Sequence, residues 1–493
     1  MLSSSNFLHC QFPCVSDPDD EEMRDCYRFY ADVKYAMAEK EVPVNKEAEG
    51  NRIDLLNGRI AGALFWLSLP IMGTQFIEMA YNLFDTMWVG QLGNQAVTAV
   101  GVAGSFMWVG SGIAMIPQIG GQVMTGQSIG EGNMIKARRF ARTAIQLMLL
   151  IMIAYSLICI VFRHQLISFF RLHDPDTAAF AASYLLIVSL GHIVMGFNYV
   201  MQGVLTAAGD SKTPFKYNAS GAVLNIILDP VLIFGIGPFP VLGVNGAAIA
   251  TVFSECVVSL LFARFIMADD YLFEDFRLFG GFEHKEAVRI VKLGAPPAIF
   301  NIGYAFISMV ISRIIVTFGD AAVAIQRIGG QIESVTWMTC DGFSYAMNAF
   351  TSQNYGAENY ERVKKGFRTG TGMVTVYGVL VTALLVLGAA PIFGVFIHEP
   401  DVIAGGANYL RIVGLSQLFM GYELATSGAF NGLGQTKLPA AVGLILTVAR
   451  IPMCYLLMPV LGISGVWWAI SLSSIIKGTL LNLLFIYRLK KLK

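Results

Sequence analysis

Apolar runs of about 20 residues recur along this chain from Ile60 to Tyr487, each long enough to cross the ~30 Å hydrocarbon core of a bilayer as an α-helix. No single protein core can absorb so many helices that are apolar all round, so lipid has to serve as their solvent. Composition agrees. Of 493 residues, 55% are hydrophobic and 14% charged, and the mean hydropathy is +0.59. A soluble protein carries about a quarter of its residues as Asp, Glu, Lys or Arg. The expected fold class is all-α integral membrane.

Loop breakers divide the apolar runs into twelve predicted spans. Six fall near 60–88, 95–120, 143–162, 178–206, 215–236 and 246–267, and six near 290–317, 321–348, 370–392, 403–431, 439–459 and 463–487. Lys and Arg gather in alternate loops: Lys136, Arg138, Arg139 and Arg142 after the second span, Lys212 and Lys216 after the fourth, and Arg277, Lys285, Arg289 and Lys292 after the sixth. Arg362, Lys364, Lys365 and Arg368 follow the eighth span, Lys437 the tenth, and Arg488, Lys490, Lys491 and Lys493 close the chain. The positive-inside rule then puts both termini in the cytoplasm, as an even number of spans requires. This is the pattern of a multi-pass protein of the cell (plasma or inner) membrane.

The chain repeats its punctuation. Pro70 answers to Pro296, Gly93 to Gly319, and Ile129–Asn133 to Tyr355–Asn359, each 226 positions on. Gly209–Pro214 answers to Gly434–Pro439 at 225, and Gly243–Gly246 to Gly462–Gly465 at 219. The predicted organisation is a disordered cytoplasmic tail (1–54), a six-helix bundle (55–268), a cytoplasmic linker (269–289) and a second six-helix bundle (290–493). Six spans per repeat keep the halves in one orientation, so a pseudo-twofold axis along the membrane normal relates them, an arrangement transporters use to rock two bundles about a central site. The tail is not a signal peptide, because an acidic run from Asp17 to Asp25 replaces the basic-then-apolar pattern. One short helix is expected around Tyr27–Lys40. His9, Cys10 and Cys14 lack the second Cys or His pair a metal site needs, so Cys10, Cys14 and Cys26 read as reduced thiols.

Zero net charge argues against a nucleic-acid partner. The informative residues are ionisable groups inside spans, each costing roughly 2.5–3.5 kcal/mol on insertion scales. Asp85 lies toward the outer end of the first span. Asn225 and Asp229 stand four apart in the fifth and so share a helix face. Pro230 leaves the carbonyl of residue 226 without its helical donor. Tyr184 in the fourth span and Thr251 in the sixth reach a comparable depth. Two carboxylates with an amide and hydroxyls suit Na⁺, or a proton on a buried carboxylate. The structural alternative is that Asp85 caps a helix end and Asp229 pairs with a neighbouring helix. Glu255, Glu78, Glu333 and Asp341 are further buried acids. Glu255, Glu333, Glu423 and Arg450 are candidate substrate-contacting or structural charges, with Glu423 and Arg450 read as partners across adjacent helices in preference to substrate contact, and His192 as a satisfied packing residue in preference to a relay.

These residues resemble the multidrug and toxic compound extrusion (MATE) family, across essentially all of 55–490. The resemblance is carried by Asn82–Gly90, Gly209–Pro214, Asn225–Pro230, Gly243–Thr251 and Gly428–Gly434, and is closest to the prokaryotic DinF-like branch. It implies twelve helices in two pseudo-twofold-related bundles, a cation or proton site at Asp85, Asn225, Asp229 and Thr251 with Tyr184 beside it, and Pro70 as the bending proline. The implied activity is secondary antiport, exporting amphipathic, often cationic, drugs or metabolites in exchange for H⁺ or Na⁺, with no cofactor beyond that ion, by a monomer. In the family's other prokaryotic branch the seventh helix bears a key acid, where this chain offers Arg313. The rival reading is a lipid-linked oligosaccharide or lipid II-type flippase, which should show extra helices or a strongly basic cavity. An intramembrane enzyme is disfavoured, since His-Glu-x-x-His is lacking and no Ser/His pair is evidently co-facial.

Overall fold

A computed structural model describes residues 51–172 and 174–492; the expectations for Tyr27–Lys40, His9, Cys10, Cys14 and Cys26 lie outside them. The described residues form sixteen helices. In the first half these are α1 (Ile60–Gly90), α2 (Asn94–Gly130), α3 (Met134–Val161), the short α4 (Arg163–Ser168), α5 (Pro175–Ala207), α6 (Lys212–Phe234) and α7 (Val244–Ala268). In the second they are α8 (His284–Val316), α9 (Asp320–Gly356), α10 (Tyr360–Leu387), the short α11 (Ala389–Gly394), α12 (Pro400–Gly414), α13 (Gln417–Gly432), α14 (Lys437–Val448), α15 (Arg450–Leu461) and α16 (Ile463–Lys490). Ten segments meet the length and hydropathy of a membrane span, α14 and α15 counting as one. The others needed for twelve crossings are α9, made more polar by Arg327, Glu333 and Asp341, and the pair α12–α13, divided at Leu415–Ser416. Exposed apolar side chains such as Leu150, Leu157, Leu260, Leu384 and Leu456 form the outer surface that lipid would cover.

Helix ends differ from the sequence boundaries where helices outrun the hydrocarbon. α2 continues to Gly130, α9 to Gly356, and α3 begins at Met134 because Asn133 caps it, its side chain accepting from the Lys136 N–H at 2.9 Å. Lys136, Arg138, Arg139 and Arg142, expected in a loop, therefore sit on the first turns of α3. The linker expected over 269–289 ends at Glu283, and residues 51–54, expected in the disordered tail, have defined contacts. The face carrying the 131–133, 208–211, 269–283, 357–359 and 433–436 connections is called here the basic face, and the opposite one the far face.

The repeat is visible in the backbone. Gly93 and Gly319 precede α2 and α9 with φ/ψ of 99°/176° and 94°/175°. Gly132 has φ +69°, and Glu358, 226 positions later, holds the same left-handed region at +55° without being glycine. Asn359 caps α10 as Asn133 caps α3, accepting from Arg362 N–H at 3.2 Å.

Near the basic face the halves are interleaved. α8 packs along α2, and α9 packs against both α1 and α2. Leu64, Leu67 and Met72 of α1 join the core of the second half with Phe343, Phe350 and Phe430, while Ile290 of α8 joins the core of the first half. A Cβ on Gly120 would fall 2.2 Å from the Ile290 carbonyl oxygen, and one on Gly294 1.9 Å from that of Ile116, so α2 and α8 meet backbone to backbone. Among the described residues, the hydrogen bonds joining the halves run from the Ser334–Met79 contact to the basic face, with none farther toward the far face. The halves are thus fastened on the basic side of their interface.

Candidate functional site

Near the far face of the first half, α5, α6 and α7 enclose a polar group at one level. Asp229 and Asn225 lie five and nine residues before the end of α6, Tyr184 nine residues into α5 and Thr251 seven residues into α7. At 1.5 Å per residue those positions are about 8–14 Å below the helix ends. Asn225 Nδ2 lies 3.3 Å from both Asp229 Oδ1 and Thr251 Oγ1, so the expected grouping of Asn225, Asp229 and Thr251 is present. All three are buried, Asp229 completely, and Tyr184 is buried beside them.

Asp85 approaches from α1, five residues before its far end, within electrostatic reach of Asp229 and of Tyr184. The far ends of α1 and α6 pack there, with the Trp88 and Phe234 rings edge-to-face at 6.1 Å. Asp85 Oδ1, Asn225 Oδ1 and Asp229 Oδ2 are buried and have no hydrogen-bond partner among the described residues. Such acceptors are costly to leave unmatched, about 1–3 kcal/mol each. α1 runs unbroken through Pro70, whose carbonyl accepts from Thr74 Oγ1 at 3.2 Å.

Among the described residues no three His, Cys, Asp or Glu side chains come together as a metal site. The donors around Asp229 are carboxylate, amide and hydroxyl oxygens, which suit a hard cation or a proton rather than a transition metal.

The remaining buried charges separate into distinct arrangements. Glu255 of α7 accepts from Asn198 Nδ2 of α5 at 2.6 Å, and Asn198 Oδ1 accepts from Ser259 Oγ at 2.7 Å. Glu78 on α1 lies within electrostatic reach of Glu255 and of Asp341 on α9, and Asp341 accepts from Gln75 Nε2 at 2.8 Å. This line of carboxylates crosses from one half to the other at mid-depth. Glu333 accepts from the Tyr409 hydroxyl at 3.2 Å and from Gln417 Nε2 at 3.3 Å. Tyr409 stands 225 positions after Tyr184, so each half holds a tyrosine at this place beside a carboxylate.

The expected pairing of Glu423 with Arg450 is corrected. Glu423 is bridged at 2.8 Å by Lys477 of α16, and Arg450 donates instead to Ser473 Oγ at 2.7 Å and Ser474 Oγ at 3.0 Å. Rotation of α16 decides this: it turns Lys477 toward α13 and the two serines toward α15. Lys477 stands fourteen residues into the last span, and a lysine at that depth is itself a sequence signal of a buried partner. His192 packs edge-on against the Tyr155 ring at 5.1 Å, but both its ring nitrogens are buried with no hydrogen-bond partner among the described residues, so it is not the satisfied packing residue expected.

A family model described as MatE matches this chain twice, over residues 70–231 and 296–456. The chain belongs to the MatE family. Each match covers one of the two repeats, and together they account for most of the spans. Among curated relatives, "Probable multidrug resistance protein NorM" of Thermotoga maritima is 28% identical over 86% of this chain and 91% of its own length. "FAD transporter" of Shewanella oneidensis is 26% identical over 87% of this chain and 95% of its own. Among solved structures, "Outward-facing conformation of a multidrug resistance MATE family transporter of the MOP superfamily" superposes with a TM-score of 0.83 at 23% identity, covering 92% of this chain and all of that one. This MatE protein is accordingly a multi-pass membrane transporter with the twelve-helix fold.

Proposed function

We propose that this MatE protein exports amphipathic, mainly cationic small molecules across the plasma membrane, driven by inward H⁺ or Na⁺ bound at Asp229, Asn225, Thr251 and Asp85. The observation that carries the reading is the buried group around Asp229, with three acceptor oxygens lacking a partner among the described residues. A proton or a desolvated cation would satisfy them. The names of curated relatives support multidrug efflux, and the mid-depth carboxylates Glu78, Glu255 and Asp341 favour a cationic cargo over a lipid-linked pyrophosphate. Lys and Arg gather on one face of the spans, which supports that face, with both termini, lying in the cytoplasm.

Coupling requires that ion and cargo favour different conformations, since a ligand with equal affinity for both states shifts nothing. In this reading ion uptake between α1, α5, α6 and α7 draws α1 inward, and Pro70, whose missing N–H frees the Trp66 carbonyl, lets α1 bend. The cavity in the first half then shrinks and releases cargo outside. One chain supplies both halves and is sufficient. The test is cargo-stimulated ion flux in proteoliposomes, with Na⁺ and pH gradients imposed separately. Asp229→Asn should abolish coupling to the driving ion while leaving thermal stability near that of the parent. Full ion-dependent export by Asp229→Asn would overturn the proposal.

A further inference from the structure

The segment ahead of α1 touches both halves on the basic face. On the first-half side, Arg52 forms an ion pair with Asp269 and lies over the Tyr271 ring at 4.1 Å. Ile53 N–H donates to the Gly209 carbonyl at 3.0 Å. Gly209 has φ +84°, and a Cβ there would fall 2.5 Å from the Ile53 carbonyl oxygen, so the turn between α5 and α6 is shaped to admit this strand.

On the second-half side, Leu55 is 1% exposed and belongs to the core cluster with Phe350 and Phe430. Its carbonyl accepts from Asn354 Nδ2 at 3.0 Å and Arg362 Nε at 3.1 Å, and the Gly58 carbonyl accepts from Arg362 Nη2 at 2.5 Å.

We propose that residues 52–58 form a releasable clasp between the halves, and that it parts from the first half each time the basic face opens. Chain length forces a release. Ile53 and Leu55 are two residues apart, and two residues span at most about 7 Å when fully extended. The halves cannot separate here by more than a few ångströms while both anchors hold.

The first-half anchor is the smaller of the two. It consists of a largely buried ion pair, its side chains 12% and 1% exposed, with the Arg52 guanidinium over the Tyr271 ring and one backbone bond, against a core leucine and three hydrogen bonds on the other side. Asp269 keeps a partner when Arg52 leaves, because its Oδ2 also accepts from Leu272 N–H at 2.8 Å. The strap keeps its shape as well, since Asp54 Oδ1 accepts from the N–H groups of Leu56 and Asn57, each at 2.9 Å. The inference rests on alternate opening of the two halves, but not on the identity of ion or cargo.

The test uses the full chain, with its native cysteines replaced, in proteoliposomes. Ser352 is fully buried where α9 meets Gly126 of α2, so Ser352→Cys reports parting of the halves to an impermeant maleimide added on the basic side. Arg52→Ala should raise the labelling rate about tenfold, the shift given by losing one charge-assisted contact. Asp269→Ala should do the same, and the two together should add little. A cleavable bis-thiol bridge between Arg52→Cys and Asp269→Cys should stop both labelling and transport, with reductant restoring them. A bridge between Asn57→Cys and Glu361→Cys, which line one cavity of about 390 Å³ on the second-half side, should leave both intact. Unchanged labelling in Arg52→Ala, or continued labelling across the 52–269 bridge, would overturn the clasp. Labelling needs no gradient, so it stands or falls apart from the outcome for Asp229→Asn, and the reversible bridge is read on protein that has already folded.

Discussion

Asn348 donates its side-chain amide to Gln122 Oε1 at 3.0 Å, and the two residues, 226 positions apart, are the same position in the two repeats. The pseudo-twofold axis therefore passes through this hydrogen bond. A matched pair of bonds flanks it: Gln127 Nε2 reaches the Gly432 carbonyl at 2.9 Å, and Gln353, its repeat equivalent, reaches that of Ala207 at 2.6 Å. Even the closest approaches are mirrored. A Cβ on Gly130 would meet the Gln353 carbonyl oxygen at 1.9 Å, and one on Gly356 that of Gln127 at 2.0 Å. Around the axis, this seal on the basic side is built from uncharged amides and glycines. Such a seal can form and break in every cycle without stranding a charge in a dry interface.

The axis pair should therefore contribute to closure and little to folding of either half. Gln122→Ala and Asn348→Ala should each weaken the closed basic side by about 1 kcal/mol. In a double-mutant cycle read by thiol accessibility at Ser352→Cys, the double variant should cost less than the sum of the two. Strict additivity would show that the bond contributes nothing to closure.

Within the proposed ion group, Asn225 and Thr251 should serve different ends. Thr251→Val removes one oxygen at nearly constant volume, so it should weaken Na⁺ binding and leave H⁺-driven flux largely unchanged. Asn225→Ala removes the donor that holds Asp229 Oδ1 and Thr251 Oγ1 together, and should impair flux under either gradient. Parallel flux assays with each gradient alone decide the matter. Equal loss under both gradients in Thr251→Val would remove the distinction drawn here.

Much of this arrangement was legible in the chain. Ten of the twelve crossings follow from apolar length and hydropathy, α9 and the α12–α13 pair being the exceptions, and the i, i+4 spacing of Asn225 and Asp229 puts them on a shared face. The exact partner of Glu423 was not legible. Which charge a buried carboxylate meets depends on helix rotation, and Arg450 and Lys477 stand at similar depths on neighbouring helices. The breaks at Leu415–Ser416 and Ala449 lie within long apolar stretches, marked only by the polar Ser416–Gln417 and Arg450 beside them. The amide seal was within reach of sequence reasoning: the offset of 226 relates Gln122 to Asn348 and Gln127 to Gln353, and polar residues paired by a repeat invite a contact at its axis.

The Glu423–Lys477 pair is a structural bond whose loss is costly on one side only. Both side chains are buried, at 9% and 3% exposed. Glu423→Leu alone should destabilise the protein by about 3–5 kcal/mol, because it leaves a buried ammonium unpaired. Glu423→Leu with Lys477→Met should recover most of that loss. Thermal unfolding of purified protein in detergent reads both. A double variant no more stable than the worse single would argue for a role beyond pairing.

Two loop acids on opposite faces should give opposite pH dependences. Asp174, outside α5 on the far face, accepts from Thr177 Oγ1 at 2.6 Å and Thr177 N–H at 2.9 Å, and these bonds hold its carboxyl below the usual range. Its stabilisation is present above the unfolded-state pKa and is lost as pH falls through the lower folded value. Asp210, on the basic face between α5 and α6, is pushed up by burial despite the Thr213 N–H it accepts at 3.0 Å. The folded protein then binds that proton more tightly than the unfolded chain, so stability falls as pH rises from the unfolded pKa to the folded one. Asp210→Asn, which cannot ionise, should melt higher than the parent at neutral pH, with the gap closing toward pH 4. Asp174→Asn should melt lower than the parent at neutral pH, and its gap should also close in acid. Melting temperatures for both variants against the parent, taken from neutral pH to about pH 4 for Asp210→Asn and on to well below the unfolded-state carboxyl value of about 3.9 for Asp174→Asn, test the signs independently; a gap that stays constant through its own window for either variant would mean that its charge has no part in stability.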